Sequence, residues 1–198
     1  MYSIIDLTAE SDHSRRKFVR PASNVDSLVL HQMGFTRGND PRMYLSVKAH
    51  FVIMQNGTVA QLHNFTDYLY SSDGLNSRSV AVEFAGNFPS DRDKWWHAKG
   101  TSKSKQAANQ HRISHQQVSA GLFLIGYLMY DPGIQFLFAH RQAGTHHNCP
   151  GPDIWYNIGE EGLRMGLRDG GPNFQMGLGR TIPNSWRNHD YIVIEEED

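Results

Sequence analysis

Two short apolar runs, residues 25–31 (VDSLVLH) and 135–140 (QFLFAH), each end in a histidine, and this repetition constrains the fold more than any other feature. Both are short and rich in aliphatic or aromatic side chains, which predicts buried strands. A third run, residues 79–85 (SVAVEFA), reads the same way and is interrupted near its end by Glu83. Residues 49–54 (AHFVIM) and 58–62 (TVAQL) flank Gln55, Asn56 and Gly57, a hairpin signal in which Asn-Gly supplies the positive φ angles of a tight turn.

Helical signals lie between these strands. Ser114 is placed to cap a helix whose Val118, Gly121, Leu122, Ile125, Leu128 and Met129 recur at three- and four-residue spacing, until Asp131-Pro132-Gly133 stops it. A shorter helix is expected from Asp40-Pro41, turning Met43, Tyr44 and Val47 inward, and a last one from Pro150 past Trp155. Strands alternating with helices predict the α/β class, a mixed central β-sheet flanked by helices in one domain. A chain of 198 residues is long enough for one such core and short for two.

Three segments fall outside the periodic frame. Residues 1–24 read as an N-terminal arm with a charged cluster at Arg15, Arg16, Lys17 and Arg20. Residues 89–113 read as a surface insertion carrying Trp95, Trp96 and the cations Lys94, Lys99, Lys103 and Lys105. Residues 170–198 are a Gly- and Pro-rich extension ending in YIVI and EEED, which leaves 25–169 as the central domain. The tryptophans are open to two readings, sugar-stacking rings or loop anchors.

A formal net charge of −1 argues against a nucleic-acid partner bound through bulk charge. No apolar stretch is long enough to span a bilayer, and the first residues lack the order of a signal peptide, so synthesis is expected to leave the protein in the cytoplasm. The single cysteine, Cys149, excludes an intramolecular disulfide. By itself such a residue reads as a small buried hydrophobe.

Its surroundings point to chemistry. The second histidine-ended strand is followed by Cys149, and His₂Cys with one open position is a catalytic zinc set. Pro150 places Cys149 near the start of a helix, where backbone N–H groups favour a thiolate. On spacing alone, His31, His140 and Cys149 stand as a zinc centre or as three structural residues. His50, inside a strand beside Phe51, reads as structural.

Four ordered segments carry a resemblance. These are residues 29–34 (VLHQMG), 49–62 (AHFVIMQNGTVAQL), 76–87 (NSRSVAVEFAGN) and 139–154 (AHRQAGTHHNCPGPDI). Together they resemble the type-2 N-acetylmuramoyl-L-alanine amidases, the superfamily that includes phage lysozyme-type amidases and peptidoglycan recognition proteins. The resemblance implies one Zn²⁺ held by His31, His140 and Cys149, with Glu83 acting on the activated water. It puts His147 where the family often has a lysine that contacts the oxyanion. Peptidoglycan or muropeptide fragments are the implied partners, with hydrolysis on the wall after delivery or on cytoplasmic wall fragments. A non-catalytic peptidoglycan-binding protein of the same fold is the alternative.

Three positions depart from the family pattern. A neutral His147 brings one hydrogen-bond donor and no fixed charge. Ala49 stands where lysozyme-type amidases carry a tyrosine beside the metal, which shifts weight to Glu83. The family's Trp-His-Ala-Gly before the central strand is replaced by residues 70–74 (YSSDG).

Overall fold

A computed structural model describes residues 3–90 and 94–188; the YIVI and EEED of the extension lie outside the described residues. Among the described residues eight strands form, β1 (Ile4–Asp6), β2 (Arg16–Val19), β3 (Ser27–Gln32), β4 (Phe51–Ile53), β5 (Val59–Gln61), β6 (Asp67–Leu69), β7 (Ser79–Phe84) and β8 (Phe136–Ala139). Six of them make a mixed sheet in the order β1-β5-β4-β7-β3-β8, and β2 pairs with β6 beside it. The helices are α1 (Lys103–Ala108), α2 (His115–Tyr130), α3 (Pro152–Ile154), α4 (Glu160–Arg164) and α5 (Asn184–Arg187).

β4, β7, β3 and β8 run parallel, which explains their near-continuous apolar sequences. Alternation along each strand then divides the side chains between two faces. Leu28, Leu30, Val80, Val82, Phe84, Leu137 and Ala139 face a core shared with Leu124, Ile125, Leu128 and Trp155. Val29 and Phe138 face the opposite side, where Leu75 and Ala143 pack against them.

The Ser114 cap forms as expected: its hydroxyl accepts from Gln117 N–H, and a reciprocal capping box closes the first turn of α2. The hairpin also forms, with Phe51 opposite Gln61 and Ile53 opposite Val59. Only Gly57 takes a positive φ there (79°), so one left-handed residue closes the turn where two were expected.

Elsewhere the helices differ from the sequence reading. Residues Pro41–Tyr44 make a single 3-10 turn, with Tyr44 buried but Met43 exposed. Asp40 caps it through its carboxylate, yet four residues are too few to bring both side chains inward. The helix expected from Pro150 is α3, which starts at Pro152 with Gly151 as its cap and leaves Cys149 three residues before it. It widens into a π-turn at Trp155–Gly159, where the Trp155 indole N–H donates to Glu160 Oε1 at 2.8 Å.

The N-terminal segment is stitched into the sheet. β1 pairs parallel with β5, and buried Arg20 donates to the carbonyls of Phe65 (2.8 Å), Ser79 (2.5 Å) and Asn76. Burial lowers this guanidinium to about 10. Replacing Arg20 by methionine strands those carbonyls, and we expect a loss of roughly 3 kcal/mol in urea unfolding. An unchanged midpoint would show that the segment is held by other means.

Candidate metal centre

Strand register assembles the site. His31 on β3 is the register partner of Glu83 on β7, and Leu30 pairs with Ala139, one residue before His140. The period of two then puts Glu83, His31 and His140 on the face opposite α2, at the carboxyl ends of three neighbouring parallel strands. The two imidazoles meet with Nδ1 atoms 3.0 Å apart, and Cys149 Sγ lies 3.9 Å from His31 Nδ1. The three ligand atoms lie within 4.8 Å of one another.

Both outer ring nitrogens are occupied. Asp73 Oδ2 accepts from His140 Nε2–H at 3.2 Å, and Ser72 Oγ lies 3.0 Å from His31 Nε2. A carboxylate only accepts, so this bond fixes the His140 tautomer and turns the Nδ1 lone pair inward. Burial, helped by nearby His146, holds His140 down to about 4, and burial lowers His31 well below its ordinary value. Two neutral imidazoles therefore face a thiol. Tetrahedral zinc, with Zn–N near 2.0–2.1 Å and Zn–S near 2.3 Å, needs ligand atoms about 3.3–3.6 Å apart, so the trio fits with small shifts.

In the sequence, residues 70–74 stand out only as a departure from the family pattern. They supply the outer partners instead. Asn76 Oδ1 accepts from Ser71 N–H (3.0 Å) and Ser72 N–H (2.6 Å), holding the segment in place. Asp73 sits at φ 48°, a left-handed conformation that costs energy and aims its carboxylate at His140. A Cβ on Gly144 would fall 1.6 Å from Asp73 Oδ2, so a side chain there would displace the carboxylate. Asp73→Asn is expected to weaken zinc about 10–100-fold, measured by competition with a chelating dye. Wild-type affinity in the variant would remove Asp73 from the metal's support.

Cys149 rests on a braced loop. Gln32 N–H donates to Sγ at 3.4 Å, Arg141 N–H to Cys149 O at 2.9 Å, and the Arg141 guanidinium to His147 O and Thr181 O. The same guanidinium stacks 4.5 Å over Trp186. The thiol is not activated as its nearness to a helix start had implied. Burial and the charge of Glu83 push it well above its ordinary value, against the smaller effect of Gln32 N–H.

Glu83 lines the cavity over the three ligands, together with Lys48, Tyr70 and His146. Among the described residues its Oε2 is buried without a hydrogen-bond partner, and burial raises the carboxyl to about 8. His147 lies to one side, its Nε2–H donating to Leu178 O at 2.9 Å. It is His146 whose ring stacks on His140, with centroids 4.6 Å apart. His50 is structural: Nε2–H donates to Asp67 O and Nδ1 accepts from Ala81 N–H, both at 2.9 Å. No signal in the sequence separated His146 from its neighbour, because only the loop's path decides which ring turns inward.

Residues 21–152 match the family model described as N-acetylmuramoyl-L-alanine amidase. No curated protein sequence matches the chain. Among solved structures, it is similar to the N-acetylmuramoyl-L-alanine amidase LysC of Clostridium intestinale URNW at 17% identity, over 85% of this chain and 100% of that one (TM-score 0.57). The Ph2119 endolysin of Thermus scotoductus bacteriophage Ph2119 shares 18% identity, over 81% of this chain and 99% of its own (0.55). Drosophila peptidoglycan recognition protein SA shares 15%, over 81% of this chain and 92% of its own (0.59). At these identities the likeness is one of fold.

Proposed function

The chain belongs to the N-acetylmuramoyl-L-alanine amidase family, and on that footing we propose that it is a zinc-dependent hydrolase of the amide between N-acetylmuramic acid and L-alanine in peptidoglycan. The observation that carries this reading is the trio His31, His140 and Cys149, with two imidazole Nδ1 atoms and a sulfur turned to one point and both outer ring nitrogens engaged. These residues would hold the metal. When bound, zinc supplies Lewis acidity toward the scissile carbonyl and makes water a stronger acid.

The rest is work for the protein's own groups. Glu83 takes the proton from the attacking water and returns it to the leaving alanine nitrogen; its carboxyl lines the cavity, with Oε2 engaged by no other described residue. His146, against His140, is near enough to the cavity to donate to the developing oxyanion. His147 reaches that role only by giving up its bond to Leu178 O, so its replacement should cost less than that of Glu83.

A bacteriolytic role, as an endolysin of phage or prophage origin delivered to the wall after synthesis, is the biological setting we assign. Its support is the similarity to proteins described as an amidase and an endolysin. The complete ligand trio favours hydrolysis over binding alone. Purified peptidoglycan treated with zinc-loaded protein should yield new L-alanine amino termini and no new reducing ends. Binding without such release would replace the amidase reading with that of a recognition protein.

A further inference from the structure

The metal cavity opens into a second cleft of different chemistry. That cleft, about 320 Å³, shares Gln32, Met33, His146 and Cys149 with the metal cavity and runs on between Trp96, from the 89–113 insertion, and the 145–148 loop. Trp96 is 56% exposed, yet its backbone is pinned because Asn87 Nδ2 donates to its carbonyl at 2.7 Å. The neighbouring Trp95 does the anchoring, its indole N–H donating to His111 O at 3.0 Å. Gly34 lies beneath the Trp96 ring, where a Cβ would come within 3.6 Å of Cε3. A fixed backbone presenting an open aromatic face is a stacking platform.

Charge separates the two clefts. Among the described residues, the Trp96 cleft is lined by neither lysine nor arginine; its polar groups include Thr145, His147 and Asn148. The metal cavity reaches Lys48, beside Tyr70 and Ser71, on its other side. The substrate named by the proposed function has the same asymmetry. The scissile amide joins an uncharged N-acetylated sugar, whose pyranose face packs on aromatic rings, to a stem peptide that carries carboxylates.

We infer that Trp96 and the 145–148 loop form the sugar subsite, and that the stem peptide leaves the metal toward Lys48. This rests on the amidase reading and adds a direction to it. Trp96 supplies contact area to the pyranose, Asn148 and Thr145 supply hydrogen bonds to hydroxyl and acetamido groups, and Lys48 meets the first stem carboxylate. The insertion thereby becomes part of the substrate site.

The test measures hydrolysis of a disaccharide-peptide by wild type, Trp96→Ala, Trp96→Phe and Lys48→Met, alongside fluorescence titration with N-acetylglucosamine tetramer. Trp96→Ala should lower kcat/KM about tenfold, chiefly through KM, with Trp96→Phe between it and wild type and with zinc content unchanged. The same variant should lose tetramer binding. Lys48→Met should abolish the preference for a free over an amidated first stem carboxylate, while Trp96→Ala keeps it. Unchanged kcat/KM in Trp96→Ala, or a loss confined to kcat, overturns the assignment while the amidase reading stands. If wild type hydrolyses nothing, the amidase reading fails, and the tetramer titration alone decides the sugar subsite.

Discussion

Glu83→Gln should keep a full complement of zinc and lose hydrolysis by about 10²–10⁴-fold, while making the metal-free protein more stable at neutral pH. The two effects have one cause. A carboxyl raised to about 8 from an ordinary 4.5 keeps its proton in the fold at pH values where the unfolded chain gives it up. Unfolding then releases a proton, so this group's contribution to the stability of the metal-free protein falls as pH rises from 4.5 to 8. At pH 7 the penalty is on the order of 3 kcal/mol. Glutamine cannot ionise, so the variant lacks this contribution: its advantage over wild type should grow across that window and vanish below it. Urea midpoints taken in chelator from pH 4 to 8 measure this; a variant no more stable at pH 7 would refute the burial argument, and one that still hydrolyses peptidoglycan would remove Glu83 from the reaction.

Cys149→Ala should lose the metal itself. It removes the sulfur that stands 3.9 Å from His31 Nδ1 and leaves two imidazoles with an open third position. Zinc content of the purified variant should fall far below one per chain, and hydrolysis with it. Zinc at about a thousandfold above its dissociation constant stabilises the wild type by about 4 kcal/mol, and the variant should lose this increment. Mass spectrometry under native conditions and thermal unfolding with and without zinc read the two quantities. Cys149→Ser, which keeps the size of the side chain and its place near Gln32 N–H, separates ligation from packing. A fully active Cys149→Ala enzyme would end the three-ligand scheme.

The strands of the site were legible because each is covered on both faces, so its sequence is an unbroken apolar run whose polar exceptions stand out. His31, Glu83 and His140 are those exceptions. Their juxtaposition was legible only through the order of segments, since strand adjacency is set by long-range pairing. The support around them was not legible. Ser72 and Asp73 lie in a segment with no periodicity, and their role depends on Asn76 and on a left-handed backbone at Asp73. Arg20 reads as one of a charged cluster in an N-terminal arm, yet it alone of those four is buried, because it follows β2 and turns under the chain at Asn76. Met43 and the start of α3 were misplaced for a simpler reason: caps and prolines mark where a turn can begin, not how far it propagates.

The pairing of β3 with β8 also has a consequence in time. His31 and His140 are 109 residues apart in sequence, and Cys149 is 118 from His31. No local fragment of the chain contains the centre. A nascent or refolding chain must close a 109-residue span before His31 joins His140 and Cys149, which is slow and entropically costly in proteins dominated by distant contacts. Metal capture is therefore a late event that reports completion. Zinc added during refolding should speed no early step, and should act by slowing the escape of chains that have already finished.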